Sequence, residues 1–141
     1  MAAPAVIGPD DGRTITLIGA LKASSAQTGG SFEIIDYRGP LQPPPHVHRE
    51  HDEAFFILAG RFTFVLGTDE VEANTGSLVI IPRGTRHGFR TGADGRALLF
   101  IVPGGLEGFF EELGTAVAAG KTSDEIRSAL AGKYDSIPTD A

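Results

Sequence analysis

Short runs in which apolar and polar residues alternate, separated by Gly, Pro, Asn and Asp, recur along most of this chain. A period of two marks a strand with one buried face. Residues 14–18 and 32–37 fit that pattern, with Gly29-Gly30 and Gly39-Pro40 as turns. The densest β signal is Ala54-Phe55-Phe56-Ile57-Leu58 and Phe62-Thr63-Phe64-Val65-Leu66, joined by Ala59-Gly60-Arg61, which predicts a hairpin. Further strands are predicted at 71–73, 78–81, 87–90 and 97–102. Many short strands at regular spacing predict a sandwich or barrel. Beyond Pro103-Gly104-Gly105 the period lengthens: Leu106, Phe109, Phe110 and Leu113 recur at helical spacing, and Gly114 is placed to end that helix. A second helix is predicted from Thr122, where Thr-x-x-Glu to Glu125 forms a capping box ahead of Ile126, Ala129 and Leu130. Residues 1–12 read as a loose arm.

Composition narrows the picture. With 141 residues, 41% of them hydrophobic, the chain is the size of one domain, its barrel at about 14–102 and its helical segment at about 105–133. Nineteen glycines, nine prolines and no tryptophan favour strands and turns over long helices. A net charge of −6 argues against nucleic acid and anionic lipid as partners. No run approaches the roughly 18 apolar residues of a membrane span, and the first nine residues carry no basic residue, so a soluble cytoplasmic protein is expected. The absence of cysteine leaves His, Asp and Glu as the only side chains able to hold a metal.

All four histidines fall in two strings, Pro45-His46-Val47-His48-Arg49-Glu50-His51-Asp52-Glu53 and Pro82-Arg83-Gly84-Thr85-Arg86-His87. Pro43, Pro44 and Pro45 impose an extended backbone that presents His46 and His48 stiffly. On strands, His46 and His48 share a face, as do Glu53, Phe55 and Ile57, and as do His87 and Phe89. If those faces line a barrel, three imidazoles and a carboxylate converge, and a six-coordinate metal keeps about two open positions.

These two strings resemble the motifs of the cupin superfamily, G-x5-H-x-H-x3,4-E-x6-G and G-x5-P-x-G-x2-H-x3-N. The first appears as Gly39, His46, His48, Glu53 and Gly60, the second as Gly76, Pro82, Gly84 and His87. Two positions depart from the pattern: six residues rather than five separate Gly39 from His46, and Thr91 stands in place of the closing Asn. The resemblance spans roughly 39–102. It implies an all-β fold, the double-stranded β-helix or jelly-roll barrel, with one or two C-terminal helices. It implies His46, His48, Glu53 and His87 as ligands of one divalent transition metal, any of Fe, Mn, Ni, Co, Cu or Zn fitting such a set. The 46–60 string and the 103–114 tail are similar to small bacterial cupins, among which quercetin-dioxygenase-like proteins and aromatic polyketide cyclases occur.

An inward Glu53 between apolar neighbours would cost several kcal/mol unpaired, which a metal cation relieves. Glu53 is also the candidate catalytic base. His51 is an additional possible ligand, although Glu50, His51 and Asp52 read more simply as a solvated loop. Phe55, Ile57, Phe62, Phe64, Phe89 and Phe100 are candidates for an aromatic-substrate pocket, with plain core as the competing role. Arg83 and Arg86 flank the second motif, either greeting an anionic substrate or lying in solvent. The implied function is a metal-dependent oxygenase acting on a small aromatic or polyketide-like molecule; a cyclase or isomerase, and a non-catalytic binding cupin, are the alternatives. A homodimer is expected, because Phe56 and Leu58 point away from the ligand side and Phe109, Phe110 and Leu113 add apolar surface.

Overall fold

The computed structural model describes residues 3–40 and 42–139. In chain order its elements are β1 (Arg13–Ile15), β2 (Gly19–Ala23), α1 (Ser25–Thr28), β3 (Glu33–Arg38), β4 (His46–Val47), β5 (Asp52–Ala59), β6 (Arg61–Leu66), β7 (Asp69–Asn74), β8 (Leu78–Ile81), β9 (His87–Thr91), β10 (Arg96–Val102), α2 (Glu107–Ala118), α3 (Ser123–Leu130) and β11 (Ile137–Pro138). The strands form two antiparallel sheets, ordered β1-β2-β3-β10-β5-β8 and β11-β4-β9-β6-β7. Their inner faces enclose a core that includes Ile35, Phe55, Ile57, Phe62, Phe64 and Leu99, each at most 2% exposed. This is the expected jelly-roll barrel with helices at its C-terminal end.

Two local expectations are corrected. The runs around Phe55 and Phe64 are strands but not a hairpin: β5 pairs with β10 and β8, whereas β6 pairs with β7 and β9. Gly60, at φ +71°, passes the chain from one sheet to the other beside the Asp94 and Gly95 backbone. A run that alternates on both sides of a short turn looks the same in sequence whether it folds back on itself or crosses to the facing sheet. The strand predicted at 14–18 ends at Ile15, because residues 16–18 turn, with Leu17 at φ +60° and Ile18 N–H donating to Ile15 O, before β2 begins.

The motif glycines have physical reasons. A Cβ on Gly39 would stand 2.3 Å from Gly92 O and 2.7 Å from the Thr91 methyl. Thr91 itself is buried and donates to Arg61 O at 2.8 Å. The two departures from the motif thus meet in space, with the smaller Thr91 side chain packed over the longer Gly39 turn.

Helix α2 caps the barrel through a contact no local pattern announces. Its N-cap, Leu106, offers no side-chain acceptor. Glu33 of β3, 0% exposed, supplies one instead: its carboxylate accepts from Leu106 N–H at 2.7 Å and Glu107 N–H at 3.2 Å. A carboxylate at a helix N-terminus satisfies orphan donors and complements the helix dipole. The helix does not stop at Gly114 as expected but runs through it to Ala118. Gly114 is there for closeness, since a Cβ would lie 2.0 Å from Thr16 O. Helix α3 begins where expected, with the Thr122–Glu125 capping box formed.

Gly114→Ala tests that packing. Helix propensity alone would favour Ala by about 1 kcal/mol; the clash with the Thr16 backbone should outweigh it and destabilise the protein by about 1–3 kcal/mol. Thermal denaturation should show a lower midpoint, and an unchanged or raised one would contradict the close-approach argument.

Candidate metal centre

The two motifs are brought together by backbone pairing. His46 on β4 lies directly opposite His87 on β9. His48 follows β4, and its carbonyl accepts from Gly84 N–H at 2.7 Å, which ties the second-motif turn to the first motif. Gly88 lets the Pro43–Pro45 stretch cross β9, since a Cβ there would sit 3.0 Å from Pro43 O. Glu53 comes from the facing sheet, paired in β5 with Ile81 and Ile101. The four side chains are buried, and their ligand atoms lie within 4.8 Å of one another. Ligands at about 2.0–2.2 Å from a metal stand up to about 4.2 Å apart when opposite, so a few tenths of an ångström of closure would accommodate an ion.

Each imidazole is held by its other nitrogen. His46 Nδ1 donates to Pro44 O at 2.9 Å, His48 Nδ1 to Asp135 O at 2.6 Å and His87 Nδ1 to Thr85 O at 2.8 Å. A carbonyl only accepts, so each Nδ1 carries the proton and each Nε2 presents a lone pair. Glu53 Oε1 lies against His48 Nε2 and 3.3 Å from His87 Nε2. His48 Nε2, His87 Nε2 and Glu53 Oε1 are all buried without a hydrogen-bond donor. Acceptors facing acceptors in a dry site demand a cation, and neutral imidazole with carboxylate suits a divalent transition metal. Burial, with His87 and His48 alongside, holds His46 well below the usual imidazole range. Burial would also lower His48 and raise Glu53, yet their mutual attraction wins, lifting His48 and holding Glu53 well below the carboxylate range.

Beside the quartet lies a narrow cavity with about 30 Å³ of accessible space, room for a water molecule or two and well below the about 300–1,000 Å³ of ligand pockets. His46, Glu53 and His87 form its floor; Phe55, Phe89, Leu99, Tyr37 and Ile18 form its walls; Phe109, Phe110 and Leu113 of α2 and Arg127 of α3 cover it. Burial pushes the Tyr37 phenol up, so it stays protonated.

Several expected roles are redistributed. Phe55 and Phe89 line the cavity, but Ile57, Phe62 and Phe64 lie in the core away from it. Phe100 is on the outer face, because in β10 it is Ala97, Leu99 and Ile101 that are buried. His51 is not in the quartet: it is buried rather than solvated, and its Nδ1 donates to Asp135 Oδ2 at 2.6 Å. Arg83 makes a forked pair with Asp52 at 3.0 and 3.1 Å, and Arg86 donates to Gly67 O, so neither lines the cavity.

Asp135 is the residue the motifs miss. Besides orienting His48 and His51, its carboxylate accepts from the backbone N–H groups of Arg49 and Glu50, both at 2.7 Å. Next to it β11 pairs with β4, opposing Pro138 to His46.

The comparisons with known proteins agree with this geometry. Residues 36–103 match the family model described as Cupin domain. The chain has the cupin fold. Over 95 residues, 65% of this chain, it is 30% identical to Quercetin 2,3-dioxygenase of Bacillus subtilis (strain 168), and the match spans only 28% of that relative's length. Among solved structures, a protein from Planctomyces limnophilus superposes with a TM-score of 0.61 at 20% identity, over 74% of this chain and 92% of that one. KdgF from Halomonas sp. gives 0.51 at 19% identity, over 59% and 74%. Within the cupin barrel the quartet is a site able to hold one divalent metal ion.

His46→Ala and His48→Ala should each lose stoichiometric metal while circular dichroism stays that of the wild type, because the apolar core rather than the ion supplies most of the stability. Asp135→Ala keeps the backbone carbonyl that holds His48 but removes the carboxylate that anchors this carbonyl's segment to the Arg49 and Glu50 N–H groups and to His51, and should weaken metal affinity by up to about 10–100-fold, the range for lost outer-shell partners. Competition titration with a chromogenic chelator measures both; wild-type affinity in the Asp135 variant would remove its positioning role.

Proposed function

We propose that this cupin is a metal-dependent oxygenase acting on a small aromatic or polyketide-like molecule that reaches the metal through oxygen atoms. The observation that carries the reading is the juxtaposition of the buried quartet with an aromatic, water-poor cavity open to it. The partial identity with a quercetin dioxygenase supports the reaction class. When bound, the metal would polarise a substrate oxygen and serve as the meeting place of substrate and dioxygen. His46, His48 and His87 hold it, with their Nδ1 protons committed to carbonyls and thus kept from the reacting atoms. Phe55 and Phe89, packed edge to face 5.2 Å apart, wall the approach to the metal and exclude water. Glu53, the only carboxylate among the described lining residues, completes the metal's ligand set and takes a hydroxyl proton from the substrate when it detaches.

The outer face of the larger sheet bears on assembly. Phe56, Leu78 and Ile80 are 39%, 54% and 68% exposed, adjoin in register and sit at the β8 edge. We read this face as a homodimer contact. The expected contribution of Phe109, Phe110 and Leu113 falls away, since all three are buried within the chain.

Oxygen uptake by iron- or manganese-loaded protein with a panel of flavonols and single-ring hydroxyketones should depend on substrate and disappear in His46→Ala. Conversion without oxygen uptake would favour the cyclase or isomerase chemistry, and tight binding without conversion the non-catalytic module. Sedimentation at micromolar concentration should give a dimer that Ile80→Lys dissociates; a monomeric wild type would defeat the assembly reading.

A further inference from the structure

Two small cavities lie one behind the other under the helices. The inner one, with about 30 Å³ of accessible space, touches His46, Glu53 and His87. The outer one, with about 40 Å³, lies between the Pro43-Pro44 stretch and the Val117 and Ile126 side chains and reaches the exposed Gln42. Among the described residues the two share three wall residues, Pro43, Leu113 and Arg127. Pro43 has a fixed φ and lies in the stretch that crosses β9 at Gly88, whereas Arg127 reaches in from α3. Leu113, buried in the middle of α2, borders empty space on both sides. Its backbone cannot yield: Glu33 fastens the start of α2, and the next residue, Gly114, sits so close to Thr16 O that a Cβ would stand 2.0 Å away. The aromatic part of the roof is braced, Phe109 meeting Phe110 and Tyr134 edge to face at 5.2 and 5.9 Å. A leucine bordered by voids lacks part of the dispersion contact that holds a core side chain in one rotamer, so the Leu113 side chain moves at least cost.

We propose that Leu113 is the gate and the size-determining residue of the metal cavity. With its side chain between the two cavities, the inner space admits to the metal only a ligand of two or three atoms. Swung into the outer cavity, the side chain joins the two spaces and admits a single planar ring bearing a metal-seeking oxygen or nitrogen. This rests on reading the cavity as the way to the metal, and it supplies what that reading requires, since about 30 Å³ of accessible space holds no ring. Removing one leucine side chain from an apolar interior leaves a space able to take up a benzene-sized molecule, so a single leucine is an obstacle of the right magnitude.

Cobalt(II)-loaded whole protein tests this through its visible absorption, which shifts when an added molecule joins the metal. Azide, three atoms in line, and imidazole, a ring, are the probes, read at unchanged cobalt content. Wild type should bind azide, and imidazole much more weakly. Leu113→Ala should tighten imidazole by at least about tenfold, about 1.4 kcal/mol, with azide affinity unchanged. Leu113→Val trims less, should move the same way, and decides the matter if Leu113→Ala does not fold. Val117→Ala enlarges only the outer cavity and should leave both affinities at the wild-type level; a gain in imidazole binding equal to that of Leu113→Ala would show general loosening and overturn the proposal. Imidazole affinity that is the same in wild type and in folded Leu113 variants, all of them binding azide, would overturn the gate while azide binding keeps the cavity reading. A cobalt spectrum that neither probe changes in any of these proteins would overturn both.

Discussion

The His48 and His87 nitrogens and a Glu53 oxygen face one another, buried and without a hydrogen-bond donor, with the His46 imidazole beside them. Electron pairs so arranged repel, and the barrel tolerates them only because it grips each side chain from behind. The grip is backbone: three carbonyls take the three Nδ1 protons, and none of the three carbonyls belongs to a regular strand. Loop conformation therefore sets the direction of every imidazole. The sheets decide where the loops stand, and the need for a cation follows from where the loops point.

The cavity is built on the same economy. Its floor is shared between the two sheets and its roof is a helix fastened by one inward carboxylate, Glu33, on the strand that also carries Tyr37. Gly114 lets that helix come down onto the β1–β2 turn. A shift in either contact would move Phe109, Phe110 and Leu113, and with them the size and dryness of the space above the quartet. The roof and the metal floor are thus parts of one packing problem, not a barrel with an appendage.

What the sequence makes legible is what is local or periodic. The quartet follows from spacing plus strand parity, and the Thr122 capping box from four consecutive positions. Parity failed at Phe100 because Ala97-Leu98-Leu99-Phe100-Ile101-Val102 is apolar throughout and carries no alternation to set its phase. The crossing at Gly60 hides because a turn between sheets and a turn within one use the same residues. Glu33 and Asp135 were illegible for a common reason. Each acts on a group far along the chain, Glu33 on residues 73 and 74 positions later and Asp135 on histidines 84 and 87 positions earlier, with no short-range signature.

That last separation orders events in time. During synthesis the His46-Val47-His48 triplet emerges well before residue 135, so the young chain has the Pro44 carbonyl to direct His46 but nothing yet to direct His48. Any ion captured then meets a flexible chelate that ranks metals by affinity alone, the order in which copper prevails. Only when the segment at 135–139 arrives, seats Asp135 O on His48 and lays β11 along β4 does geometry begin to discriminate. The tail therefore completes the geometry of the site, and a chain cut short of it would hold His48 with no fixed direction.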